Sequence, residues 1–231
     1  MGLSNAFVVW DFNGTILDDA SLCIDILNRM LSRRGLPSIG RDRYLDVFRF
    51  PISDAYRLFG FDFDVWPYES LAREFMEEYM PASMREIGLR DGVGDALSRF
   101  AQAGLQQVLL SASNREYLVR QITHFGIAGF FEELLGLDDP FGNGKAGIGR
   151  RWADRIRAVR SVPPCIVMIG DTDHDREVAE VIGAGCVLVG GGHCSRARLL
   201  SAGADAVADD VGSAAAAALG LLQALPPRIG V

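Results

Sequence analysis

Lysine is almost absent from this sequence. One occurs, at position 145, beside twenty-two arginines. No lysine lies between residues 15 and 87, so that stretch offers no amine for Schiff-base chemistry. Cysteine is scarce too: Cys23, Cys165, Cys186 and Cys194, none in a C-x-x-C pair. The first three sit inside apolar segments and read as buried thiols, whereas Cys194, after a glycine run and His193, reads as partly exposed. Too few ligands surround it for a metal site, and a reducing compartment is expected.

Positive charge is not in excess. The net charge is -7, which removes the basic stripe that nucleic-acid binding calls for. No apolar run approaches the ~18 residues of a membrane span. The run Ala6–Trp10 lacks a basic leader and a cleavage pattern, so it does not read as a secretory signal. The expected protein is cytoplasmic, a monomer or weak dimer, without nucleic-acid or membrane partners.

What is present is an ordinary globular composition over 231 residues, 49% hydrophobic and 23% charged. That allows one large domain, or a core with a smaller insert. Ala6–Trp10 is a continuous apolar run ending at Asp11 and predicts a buried parallel strand. Similar runs follow: Val108–Leu110 into Ser111, Leu134–Leu137 into Asp138, Cys165–Ile169 into Gly170-Asp171, and Cys186–Val189 into three glycines. Helical patterns separate them, at Val93–Ala103, Arg115–Phe125 and Asp173–Ile182, each stopped by a glycine, with Ser213–Leu225 closing the chain before Pro226-Pro227. Strand alternating with helix predicts an α/β fold, a doubly wound, Rossmann-like parallel sheet covered on both faces. Residues 15–87 break the rhythm. Ser21–Arg34, Arg41–Phe48, Ile52–Phe59 and Pro67–Tyr79 all read as helices, so a helical insert (15–87) interrupts a core of residues 1–14 and 88–231.

In open parallel sheets, ligands bind beyond the carboxyl ends of the strands. The residues that follow the apolar runs therefore converge: Asp11-Phe-Asn-Gly-Thr15, Ser111, Lys145 and Gly170-Asp171-Thr-Asp-His-Asp175. Together they hold carboxylates, a hydroxyl and one amine. Hard oxygen ligands suit Mg²⁺, a carboxylate can attack phosphorus, and a hydroxyl and an ammonium can neutralise phosphoryl oxygens. Lys145 stands out because a chain that otherwise uses arginine keeps a compact point charge only here.

Taken in order, these segments resemble the four motifs of the haloacid dehalogenase superfamily of phosphohydrolases. Asp11-Phe12-Asn13-Gly14-Thr15 looks like the first, Leu109-Leu110-Ser111 the second, Gly144-Lys145 the third and Gly170-Asp171-x-x-x-Asp175 the fourth. The insert stands where members with a C1 cap carry it, as in phosphoglycolate phosphatases and β-phosphoglucomutases. The resemblance implies Asp11 as nucleophile and Mg²⁺ ligand. It implies the Asn13 backbone carbonyl and Asp171 as further ligands, with Asp175 binding directly or through water. Ser111, Ala112, Gly14 and Lys145 would hold the phosphoryl group of a small phosphate ester.

One position departs from the pattern. Most phosphatases of the family carry an aspartate two residues after the nucleophile, which protonates the leaving oxygen. Asn13 cannot exchange a proton at neutral pH, and such catalysis is typically worth about 10²–10⁴-fold. Four readings stay open. The leaving group needs little protonation, as with a phenol or enol; another group, among Asp18, Asp19, Asp173 and His174, supplies the proton; the enzyme is slow or specialised; or the chain binds a phosphorylated ligand as a regulator. A mutase is disfavoured, and a metal-free dehalogenase fits the acid-rich fourth motif poorly. In the insert, Arg49 is the favoured contact for a second anionic group and Phe50 a wall of the site, with Arg41, Arg43 and Trp66 as neighbours. His124 and His193 read as structural or solvated.

Overall fold

The apolar runs are strands in the computed structural model, which describes residues 5–138 and 144–224. β1 (Ala6–Trp10), β2 (Gln106–Asn114), β3 (Glu133–Leu137), β4 (Cys165–Gly170) and β5 (Gly185–Val189) are joined by β6 (Ala206–Ala208). The six strands form one parallel sheet in the order β3-β2-β1-β4-β5-β6. This is the doubly wound α/β fold read from the sequence. β6 escaped that reading because it is a three-residue edge strand, mostly half-buried, too short to register as an apolar run.

Alternation along β1 splits the core in two. Val8 and Trp10 pack with α5 (Val93–Gln102), α6 (Arg115–His124) and α10 (Val211–Ala224). Phe7 and Val9 face the other way, against α7 (Ala146–Ala158), α8 (Asp173–Val181) and Leu199 of α9 (Arg196–Ser201). Successive strand residues point to opposite faces, so a strand covered on both must be apolar throughout. The α7 and α9 helices were not read from the sequence. The closing helix was expected to reach Leu225, which lies outside the described residues.

The insert folds on its own apolar cluster. α1 (Ala20–Ser32), α2 (Arg41–Val47), α3 (Ile52–Phe59) and α4 (Tyr68–Ser83) bury Leu27, Leu31, Tyr44, Tyr56, Phe59 and Leu71 together. Arg33 and Arg34 of the α1 end bridge to Glu74 and Glu78 of α4. Ile16 and Leu17, inside the stretch assigned to the insert, pack with the sheet instead. α4 runs four residues past its expected end, through Pro81. Proline removes one backbone donor from the last turn, where the Ser83 hydroxyl donates to the Met80 carbonyl at 3.1 Å.

Candidate active site

Strand register assembles the centre. Trp10 pairs with Leu109 on one side and with Ile169 on the other, so Asp11 emerges beside Gly170-Asp171 at the point where strand order reverses. The Asp11 amide donates to the Ile169 carbonyl at 2.9 Å and fixes that exit. Lys145 precedes α7 and reaches in from the β3 side. Its ammonium pairs with Asp11 and, at 2.5 Å, with Asp175 Oδ1. It is 2% exposed.

Each acid is held differently. Thr15 Oγ1 donates to Asp171 Oδ1 at 2.8 Å, and the His193 amide donates to Asp171 Oδ2 at 2.7 Å. Asp175 Oδ2 accepts from the amides of Asp171 and Thr172 and from the Thr172 hydroxyl, closing a capping box on α8. Glycine is required at two neighbours: a Cβ on Gly14, whose φ is +74°, or on Gly192 would overlap Asp171. Arg90, a residue with no sequence signal, donates to the carbonyls of Gly14 at 2.6 Å and Gly190 at 2.5 Å, tying these two loops together.

Buried charge sets the electrostatics. Burial pushes the Asp11 carboxyl well up, and Asp175 and Asp171 add to this against the Lys145 ammonium. Burial also raises Asp171. For Asp175 burial works upward, but Lys145 outweighs it and holds the carboxyl low. Lys145 itself stays well above an ordinary lysine, because Asp11 and Asp175 overcome its burial. Three carboxylates thus face one ammonium. Oxygens of Asp11, Asp171 and Asp175 lie within 4.8 Å of one another. An all-oxygen donor set with surplus negative charge fits a hard divalent cation such as Mg²⁺.

A second buried network adjoins the first. Asp19, ahead of α1, accepts from the Gly14 amide at 2.8 Å, Asn13 Nδ2 at 2.8 Å and the Tyr79 hydroxyl at 2.6 Å. His193 Nε2 lies 3.0 Å from it, and the Tyr44 hydroxyl lies 2.8 Å from His193 Nδ1. Burial alone would raise Asp19, but the facing His193 and these hydrogen bonds hold its carboxyl below the usual range. His193 is pushed up to about 9, Asp19 overriding its burial. His193 is therefore a buried, ion-paired group, not a solvated one. Cys194, expected to be partly exposed, is buried, and burial pushes its thiol up to about 11.

A cavity of about 850 Å³ opens from this centre into the insert. Asp11, Asn13, Ser111, Ala112, Lys145, Asp171 and Asp175 line its core end. So does Ser113, which the sequence did not single out; its hydroxyl donates to Asn13 Oδ1 at 2.8 Å. Gly14 is buried beneath, bonded to Asp19. Phe50 lines the cavity and stacks on His174 at 4.6 Å. Arg49 is not among the lining residues: it is exposed, with its Nε donating to the Val47 carbonyl. The arginines that do line the cavity are Arg73 and Arg120. Arg41, Arg43 and Trp66 do not.

A doubly wound sheet with clustered carboxylates and a buried ammonium at its switch point defines a class of α/β enzymes working at the carboxyl ends of β1 and β4. Within it, the chain belongs to the haloacid dehalogenase-like hydrolase family, whose model matches residues 8–189. It is 25% identical to the phosphoglycolate phosphatase of Caulobacter vibrioides over 99% of this chain and 98% of that one. It is also 25% identical to the tyrosine-protein kinase PtkA of Mycobacterium tuberculosis over 83% of this chain, and spans 64% of that relative's length. A haloacid dehalogenase-like hydrolase of Streptococcus pneumoniae shares the fold, with a TM-score of 0.76 at 18% identity, over 93% of this chain and 98% of the other. No helix among the described residues is long and apolar enough to cross a membrane.

Proposed function

We propose that the chain is a Mg²⁺-dependent phosphatase that cleaves a small phosphate ester through an aspartyl-phosphate on Asp11. The observation that carries this reading is the cluster of Asp11, Lys145, Asp171 and Asp175 at the floor of a cavity. Asp11, the Asn13 backbone carbonyl and Asp171 would hold Mg²⁺, with Asp175 directly or through water. The bound cation supplies positive charge to the phosphoryl oxygens.

The chain's own groups do the rest. Lys145 orients the Asp11 carboxylate and offers its ammonium to a phosphoryl oxygen. Ser111 and Ala112 hold the remaining oxygens, whereas Gly14, expected to share this role, spends its amide on Asp19 and lies beneath the cavity. Thr15 and the His193 amide fix Asp171, so that the acids do not relax apart. The helices of residues 15–87 serve as a cap that closes the site from above and selects the ester.

A second reading rests on Asn13. The usual acid is absent, and a catalytically weak binder of phosphorylated ligands is the alternative. The relatives named tyrosine-protein kinases add phosphoryl transfer to a phenol oxygen as a reaction for comparison. The test is hydrolysis of p-nitrophenyl phosphate, whose leaving group needs no acid, with Mg²⁺ and with EDTA. Turnover by the native chain, lost with EDTA and reduced about 10³-fold or more in Asp11→Asn, is expected for covalent catalysis. Equal hydrolysis by the variant would sink the mechanism, and none by either would favour the binder.

A further inference from the structure

Resting on the phosphatase reading, we propose that the substrate is the phosphate monoester of a phenol borne on an apolar ring. Two independent observations lead there: the proton-bearing groups beside Asp11 are committed to buried neighbours, and the cavity above Asp11 is walled by aromatic rings.

The candidate donors are engaged or displaced, beginning with His193, which lines the cavity but has Nε2 3.0 Å from Asp19 and Nδ1 2.8 Å from the Tyr44 hydroxyl. Both ends of the Asn13 amide are bonded, Nδ2 to Asp19 and Tyr79 and Oδ1 to Ser113. Asp19 lines the cavity, but Asn13, Gly14, Cys23, Tyr79 and His193 converge on its two oxygens. The Tyr79 hydroxyl spends its hydrogen on Asp19. Asp18, Asp173 and His174 do not line the cavity; Asp173 is paired with Arg198 at 2.6 Å and His174 is bonded to Glu177. Glu77 and Glu116, the remaining lining carboxylates, are exposed side chains of α4 and α6.

An ester cleaved without a donor must expel its oxygen as the anion. A phenol ionises near ~10, whereas an alkyl alcohol stays close to water at ~15.7. The balanced sequence is short. An Asp11 oxygen attacks phosphorus; the P–O bond to the ring breaks and its electron pair leaves on the phenolate, which takes a proton from solvent. Water then attacks the phosphorus of the aspartyl-phosphate, the bond to Asp11 breaks, and the carboxylate is regenerated as the proton passes to solvent. The products are a phenol and inorganic phosphate.

The walls match that leaving group. Tyr44, Phe48, Phe50, Tyr56, Phe59 and Phe75 line the cavity, with Tyr44 and Phe59 stacked at 5.6 Å and 7°. Cavities of ~300–1,000 Å³ bury a drug-sized ligand. A two-carbon acid ester would leave most of this one to water, against rings that interact best with another ring.

The experiment compares kcat/KM of the wild-type chain with Mg²⁺ on phenyl phosphate, cyclohexyl phosphate and 2-phosphoglycolate. Phenyl phosphate is expected to exceed its size-matched cyclohexyl counterpart by about 100-fold or more, the low end of what a positioned acid is worth, and to be preferred to 2-phosphoglycolate. A smaller ratio, or a preference for 2-phosphoglycolate, overturns the phenol assignment and leaves the phosphatase reading standing. Cleavage of none of the three, nor of p-nitrophenyl phosphate, overturns the phosphatase reading and the assignment with it.

Discussion

Asn13 Nδ2 stands 2.8 Å from Asp19 Oδ2. A carboxylate only accepts hydrogen bonds, so the amide must present its N–H₂ edge to it. The residue at position 13 is therefore matched to a second buried acid, and an aspartate there would bring two carboxylates into contact.

From this, Asn13→Asp should destabilise the metal-free protein in a pH-dependent way. Two carboxylates sharing a site raise one another's affinity for a proton. The new acid's folded pKa rises above its unfolded value, so stability is retained in acid and lost as pH rises through the folded pKa. Stability should match the wild type near pH 4 and fall behind it by about 1–3 kcal/mol at pH 8, read as a lower thermal midpoint. A deficit constant across that range would contradict the pairing.

The Asp19–His193 pair carries its own pH signature. His193 is lifted from 6.5 to about 9 in the fold, and faces Asp19, Asp171 and Asp11 with the Tyr44 hydroxyl on its other nitrogen. Its contribution to stability is complete below ~6.5 and is lost as pH rises toward ~9, an effect of order 3 kcal/mol. Metal-free wild type should lose stability between pH 6.5 and 9 more steeply than His193→Gln. Parallel curves would remove the charge from the pair.

Lys145→Ala should be severely destabilising without metal. It strands two buried carboxylates, Asp11 and Asp175, and breaking a buried pair costs about 3–5 kcal/mol. Denaturant unfolding with and without Mg²⁺ should show the cation recovering part of the loss. Loss of less than about 1 kcal/mol would mean the acids find other compensation.

Mg²⁺ should raise the wild-type thermal midpoint in a concentration-dependent way, with a stabilisation of about 2.7 kcal/mol at a hundred times its dissociation constant. Asp171→Asn should abolish that shift, since Asp171 and Asp11 would supply the charge that binds it. An unchanged shift in the variant would place the cation elsewhere.

The sheet was legible because parallel strands covered on both faces must be apolar throughout, and five of six were long enough to stand out. β6 was too short, and α7 was hidden by its arginines, several of which point outward, as Arg150, Arg151 and Arg155 do. The floor of the site was legible for a related reason: Asp11 and Asp171 follow β1 and β4, and Ser111 lies in β2, strands whose register brings them together. The Asp19–His193–Tyr79 network was not. Its members are up to 174 residues apart in the chain, and a histidine in a glycine turn looks the same in sequence whether it faces water or a buried acid. Arg49 illustrates the converse: charge and position made it a fair candidate, but its side chain turns back onto the α2 end.

The solitary Lys145 has a practical consequence. Because no other ε-ammonium exists in the chain, selective isotopic labelling of lysine gives a single side-chain resonance. That signal comes from a group 2% exposed, wedged between two acids of the centre. The molecule thus carries its own background-free spectroscopic reporter, placed where the proposed cation and phosphate ester would each change its surroundings.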